Sequence, residues 1–248
     1  MRSLLKLTWV ELKLFTREPI TMVFTFALPV IFLFVMGGVF GNTPDPDGVI
    51  YRGVGAIDYY VPAYIGLVIA SIGIVSLPVH LTAYRERGVL RRLRASSISI
   101  WSLLGSHIIV SFIISILGGI LLVIIALIAY DAALPKSPGL FILAVVLCTL
   151  SFSALGFFIG SILPNTRAAQ GLGLLLFFVM LILAGAGPPR EVMTEAMQIV
   201  GDIMPLRYVI LTLQDPWLGF GWHQEASLII GGILIISSLL SVRLFKWE

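Results

Sequence analysis

Residues 101–130 read WSLLGSHIIVSFIISILGGILLVIIALIAY, thirty positions without one Asp, Glu, Lys or Arg. As a helix this stretch would be about 45 Å long at 1.5 Å per residue, more than the roughly 30 Å of hydrocarbon in a bilayer. It is apolar on every side, which suits lipid better than a soluble core. Five further runs lack all four charged residue types: 20–40, 60–80, 139–163, 168–187 and 226–242. Six spans follow, and they are expected to be helices because each run is continuous and not alternating. The composition agrees. Of 248 residues, 58% are hydrophobic and 12% charged, with a mean hydropathy of +1.04; soluble domains run at about 45–50% and about 25%. A soluble enzyme, a disordered tail and a disulfide-rich secreted module are excluded. The single Cys148 lies in an apolar run and reads as a buried thiol. The first run begins only after Glu11, Lys13, Arg17 and Glu18, with no small-residue cleavage site after it, so it reads as a retained span.

The basic residues orient the spans. With both termini cytoplasmic, twelve of the sixteen Lys and Arg lie inside: Arg2, Lys6, Lys13, Arg17, Arg85, Arg87, Arg91, Arg92, Arg94, Arg167, Arg243 and Lys246. Only Arg52, Lys136, Arg190 and Arg207 lie outside, together with nine of the thirteen acidic residues. The net charge of +3 and the pI near 9.2 therefore point to a membrane surface, and no nucleic-acid partner is expected.

The connecting pieces carry their own patterns. Residues 1–19 read as a helix lying on the membrane: Arg2, Lys6, Lys13 and Arg17 share one arc, and Leu5, Trp9, Leu12 and Phe15 face elsewhere. It serves either as a positive-inside anchor or also as a contact for a cytoplasmic partner. The outer connection at 188–225 holds Met193, Met197 and Val200 at amphipathic spacing, then Pro205 and a second apolar piece from Leu206 to Leu213. These two pieces form a re-entrant helical hairpin or, alternatively, a surface loop. Trp217, Phe220 and Trp222 read as an aromatic belt before the last span. Segment 85–98 opens Arg85-Glu86-Arg87-Gly88-Val89-Leu90-Arg91-Arg92-Leu93-Arg94. Val89, Leu90 and Leu93 make an apolar stripe beside the arginines. Anionic lipid headgroups and a docking cleft on another protein both fit this pattern.

Catalytic groups are scarce. His80, His107 and His223 have no Cys or carboxylate at metal-ligand spacing, so no metal site is expected. No Gly-Lys-Ser or Gly-Lys-Thr is present, hence no phosphate-binding loop and no ATPase of its own. Within the apolar runs His107 is the one ionisable side chain well inside, which disfavours an ion-coupled transporter. Ser111, Ser115 and Ser153 lack an evident base and are expected to bond along or across helices. Gly156 and Gly160 form a small-xxx-small pair for close helix packing, within the chain or against a second copy.

In order and spacing, these pieces resemble the type-2 ATP-binding-cassette (ABC) exporter permeases in their short six-span form. Arg17-Glu18-Pro19 looks like the end of that family's interface helix. Glu86-Arg87-Gly88-Val89-Leu90 with Leu93 is similar to its coupling helix, and Pro205-Leu206-Arg207-Tyr208 resembles the Pro-Leu-x-Tyr element of its outer hairpin. The chain departs from the usual pattern in a Glu-to-Gly spacing one residue tighter, in Val89 for Thr, in Ser96-Ser97 for Thr-Pro, and in Met204 for Asn.

The resemblance implies one all-α transmembrane domain over 1–248, with 1–19 as interface helix, 85–98 as coupling segment and 188–225 as outer re-entrant segment. It implies a plasma-membrane permease subunit that exports an amphipathic or lipid-like compound, such as a drug, a lipid or a lipid-linked glycan. It also implies a second permease subunit, identical or related, and separate nucleotide-binding ABC ATPase subunits that hold the ATP and Mg. Residues 1–18 and 85–98 would be the contact surfaces. The chain itself would be no enzyme and carry no cofactor. A competing reading is a membrane scaffold or sensor that binds anionic lipid through 85–98 without transporting anything.

Overall fold

The computed structural model describes residues 2–44, 50–95 and 100–244, and these are all-helical. A surface helix α1 (Arg2–Phe15) leads into the first span α2 (Pro19–Phe40), with Pro19 at the first helical position, where its missing N–H costs no bond. After a short turn at Tyr51–Gly53 come α3 (Ala56–Glu86), the small α4 (Val89–Ala95) and α5 (Ile100–Tyr130). Then follow α6 (Pro138–Ile162), α7 (Thr166–Leu183), α8 (Glu195–Ile203), α9 (Pro205–Leu218) and α10 (Gln224–Leu244). Six of them, α2, α3, α5, α6, α7 and α10, are long and apolar enough to cross a membrane, and α8 and α9 form a pair bent by 88°.

The second span is the axle of the bundle. Of its most apolar stretch 94% is buried within the chain, against 22% for α2 and for α10. Glycine makes that burial feasible. A Cβ on Gly156 would stand 2.1 Å from the Gly73 carbonyl oxygen, and one on Gly160 would meet Leu81 at 2.9 Å. The Gly156/Gly160 pair of α6 therefore faces α3 of the same chain. On the other side of α3, a Cβ on Gly173 of α7 would stand 2.7 Å from the Ile74 carbonyl oxygen. The last span α10 lies along α6, where the Ser151 hydroxyl donates to the Ile230 carbonyl at 3.0 Å.

Both α2 and α3 contain a widened π-type turn, Val23–Ala27 in one and Ser71–Ser76 in the other. They meet through the buried Thr25 and Ser71 hydroxyls, 2.9 Å apart. Such wide turns concentrate at functional positions in helices.

Several boundaries move from the sequence reading. The second span extends past residue 80 to Glu86, since nothing before Gly88 breaks the helix. Arg85 and Glu86 thus end the span instead of opening a separate segment. The fifth span stops at Leu183, before a turn that carries Gly185 at φ +94°. The second piece of the outer connection is longer than 206–213, running to Leu218, and Met193 precedes α8. Trp217 does not join an interfacial belt: it is buried with its ring 5.0 Å from that of Phe141. Cys148 is buried, as its surroundings in sequence suggest.

Candidate functional site

The ends of the six spans form two polar layers. One gathers α1, α4 and most of the basic residues; the opposite layer holds the 50s turn, α8 and α9.

At the basic end α1 has three faces. Lys6, Lys13 and Arg17 are exposed, and so are Leu5 and Trp9, the latter at 70%. The third face turns into the bundle through Thr8, Glu11 and Phe15, with Leu4 against Gly105 of α5. Arg2 belongs to α1, but its side chain lies outside the described residues, as does that of Leu93. Glu11 is the unexpected member of the inward face, only 1% exposed, and accepts a hydrogen bond from the Tyr84 hydroxyl at 2.6 Å. Just beyond α1, Glu18 lies 2.8 Å from His80 Nε2 and accepts from the Thr21 hydroxyl at 3.1 Å. Burial alone would raise the Glu18 carboxyl, but His80 and Thr21 hold it below its ordinary value.

The link from α3 to α4 turns on Gly88, whose φ of +64° is the left-handed conformation that glycine adopts without Cβ strain. The apolar stripe of α4 is divided. Leu90 is 1% exposed and belongs to this chain's own interior, Val89 is half-buried, and Arg87, Arg91 and Arg92 lie outward. What the turn presents is therefore charged more than apolar. Glu86 is exposed but engaged: it accepts from the Thr166 hydroxyl at 2.6 Å and the Thr166 amide at 3.2 Å. Those groups open α7, where Asn165 caps the Ala168 amide at 2.8 Å. Arg85 reaches the last turn of α6, donating to the Gly160 carbonyl at 3.4 Å and to the Leu163 carbonyl. The end of α3, from which α4 follows, is thereby tied to two further spans.

At the opposite end Arg52 pairs with Asp215 at 2.6 Å and lies 4.5 Å over the Phe220 ring. Tyr51, Tyr59, Tyr60 and Tyr64 form a chain of ring contacts, and the Tyr60 hydroxyl donates to the Gly187 carbonyl at 2.7 Å. Pro205 starts α9, Leu206 is buried, Tyr208 donates to the Asp202 carbonyl at 2.6 Å, and Arg207 lies 3.8 Å from the Asp202 carboxylate. Arg190 holds the same carboxylate through two bonds, at 2.6 and 2.7 Å. Arg190, Arg207 and Tyr208 thus converge on Asp202 at the bend between α8 and α9.

Between α5, α6 and α9 runs an open groove of about 540 Å³, lined by residues including Ile65, Phe112, Ile120, Phe141 and Val145. Its polar exceptions are Ser115 and Trp217, whose Oγ and Nε1 have no hydrogen-bond partner.

The sequence of the chain has relatives. The family profile described as "ABC-2 type transporter" matches residues 2–215. The chain belongs to that family. Two curated relatives, each named "Inner membrane transport permease YhhJ", from Escherichia coli (strain K12) and Shigella flexneri, are 29% identical to it over 198 residues. The match takes in 73% of this chain and 52% of each relative, so the chain spans about half the length of those proteins.

The six helices long and apolar enough to cross a membrane fit membership of that membrane family. The chain's residues gather in ways the sequence reading missed. Glu11, His80 and His107 converge from three helices, and Arg52 and Asp215 pair across most of the chain. The one available signal was Glu11 itself, a carboxylate outside the basic arc of an otherwise amphipathic helix.

Proposed function

We propose that the chain is the membrane permease subunit of an ATP-driven exporter, both termini cytoplasmic, working with a second permease subunit and separate ABC ATPase subunits that bind ATP and Mg. The observation that carries this is the turn at Gly88: α4 follows the most buried span, shows arginines outward, and that span is tied at its end by Arg85 and Glu86 to α6 and α7. A partner pushing on α4 moves three spans together, which is how rigid-body switching is transmitted. The name of the curated relatives, a transport permease, supports the same reading.

The apolar groove supports an amphipathic cargo. Its volume falls within the roughly 300–1,000 Å³ of drug-sized sites, and its walls are hydrocarbon with two unpaired polar groups. The exposed basic face of α1 supports the cytoplasmic placement of this end.

The test is capture of the tagged chain from native membranes in mild detergent or nanodiscs, followed by an ATPase assay. The reading predicts that wild type brings down an ATP-hydrolysing subunit and that a folded Gly88→Pro, Glu86→Ala variant does not. Retention of lipid binding with no such subunit under any lipid condition would favour the scaffold reading and sink this one.

A further inference from the structure

Glu11, His80 and His107 project from α1, α3 and α5 into one spot, and one ligand atom of each lies within 4.8 Å of the other two. All three are more than nine-tenths buried. Glu11 Oε2 and His107 Nε2 have no hydrogen-bond partner, and His80 Nε2 has Glu18 Oε1 at 2.8 Å. Two buried polar atoms left unpaired beside a third ligand group are costly, and a native interior keeps them for a ligand that satisfies them together. Ser76 and Ser111 also line the spot, whose free space of about 10 Å³ fits one small sphere.

The donor set identifies the ligand class. Two imidazoles and a carboxylate suit zinc and its divalent first-row neighbours; magnesium and calcium favour all-oxygen shells. The carboxylate is already oriented: Glu11 Oε1 accepts from the Tyr84 hydroxyl at 2.6 Å and lies 3.6 Å from His107 Nε2. Glu18 Oε1, 2.8 Å from His80 Nε2, offers an oxygen for a fourth position. We propose that Glu11, His80 and His107 bind one zinc-like divalent transition-metal ion, which fastens the surface helix α1 to α3 and α5. Tetrahedral bonds of roughly 2.0–2.1 Å bring ligand atoms to about 3.4 Å apart, so side chains close inward by about 1 Å on binding. The site is independent of cargo and of any ATPase.

The full chain, purified through a tag without histidines and stripped with chelator, is titrated with Co²⁺ and then with competing Zn²⁺. One Co²⁺ per chain with tetrahedral ligand-field absorption is expected, bleached by Zn²⁺, and a rise in the thermal midpoint accompanies binding. His107→Gln weakens binding at least about tenfold, whereas His223→Gln, at the far end of the bundle, leaves it unchanged. Absence of stoichiometric Co²⁺ binding by wild type overturns the proposal, as does equal binding by folded His107→Gln. If that variant does not fold, zinc-edge X-ray absorption of wild type decides: two imidazole nitrogens near the metal support the site, and an all-oxygen shell overturns it.

Discussion

Arg85 and Glu86, adjacent in the chain, hold opposite ends of consecutive spans: the guanidinium sits on the terminal carbonyls of α6, and the carboxylate on the first amide of α7. Each charge has the sign its helix end favours, cation at the negative C-terminus and anion at the positive N-terminus. Exchanging the two by the double change Arg85→Glu, Glu86→Arg keeps net charge and composition but reverses both matches. Hydrogen exchange of the amides at 163–168 is expected to speed up several-fold. Wild-type protection in the exchanged protein would show that the pair acts only through total charge.

The approach of α6 to α3 predicts a sharp contrast between glycines. Gly156→Ala drives a methyl into the Gly73 carbonyl and should cost roughly 1–3 kcal/mol. Gly171 in α7 has nothing within 4 Å of its added Cβ, and Gly171→Ala should be neutral or stabilising by about 0.4–1 kcal/mol. Thermal unfolding of both variants in one detergent measures the difference.

The hydroxyl pair between the two wide turns is open to a double-mutant cycle. Thr25→Val and Ser71→Ala each remove one partner of a buried 2.9 Å contact. A coupling energy of about 0.6 kcal/mol is expected, typical of interhelical bonds in membrane proteins. Strict additivity would mean the turns are held by packing alone.

On the opposite side, Arg52→Ala removes both the partner of a largely buried Asp215 and a cation over Phe220. A loss of about 1–2 kcal/mol is expected, below the full buried-pair value because Arg52 is partly solvated. Restoring Asp215 to neutrality with Asp215→Asn in the same chain should recover part of it. A double variant less stable than Arg52→Ala alone would contradict this account.

The spans were legible because hydropathy over twenty residues needs no knowledge of neighbours. The end of α3 was less so: residues 81–86 are polar enough to look like a loop, and only the absence of a breaker before Gly88 keeps them helical. The surface helix was legible in its basic arc, but its three-sided character was not, since Glu11 looks like one more surface charge until His107 and Tyr84 are placed beside it. Histidine spacing along the chain gave no hint of the cluster, for ligands on different helices carry no fixed interval. Arg52 and Asp215 were hidden for the same reason, and Trp217 was misplaced because buried and interfacial tryptophans look alike in sequence.

The wide turn at Ser71–Ser76 also changes how the second span must be numbered around its axis. One extra residue in a turn advances everything beyond it by about 100° relative to an uninterrupted helix. A single helical wheel drawn through Ala56–Glu86 therefore assigns the wrong azimuth to one half. Scanning substitutions or crosslinks along this span have to be phased twice, once up to Ala70 and again from Leu77, before a stripe of sensitive positions can be recognised as one surface.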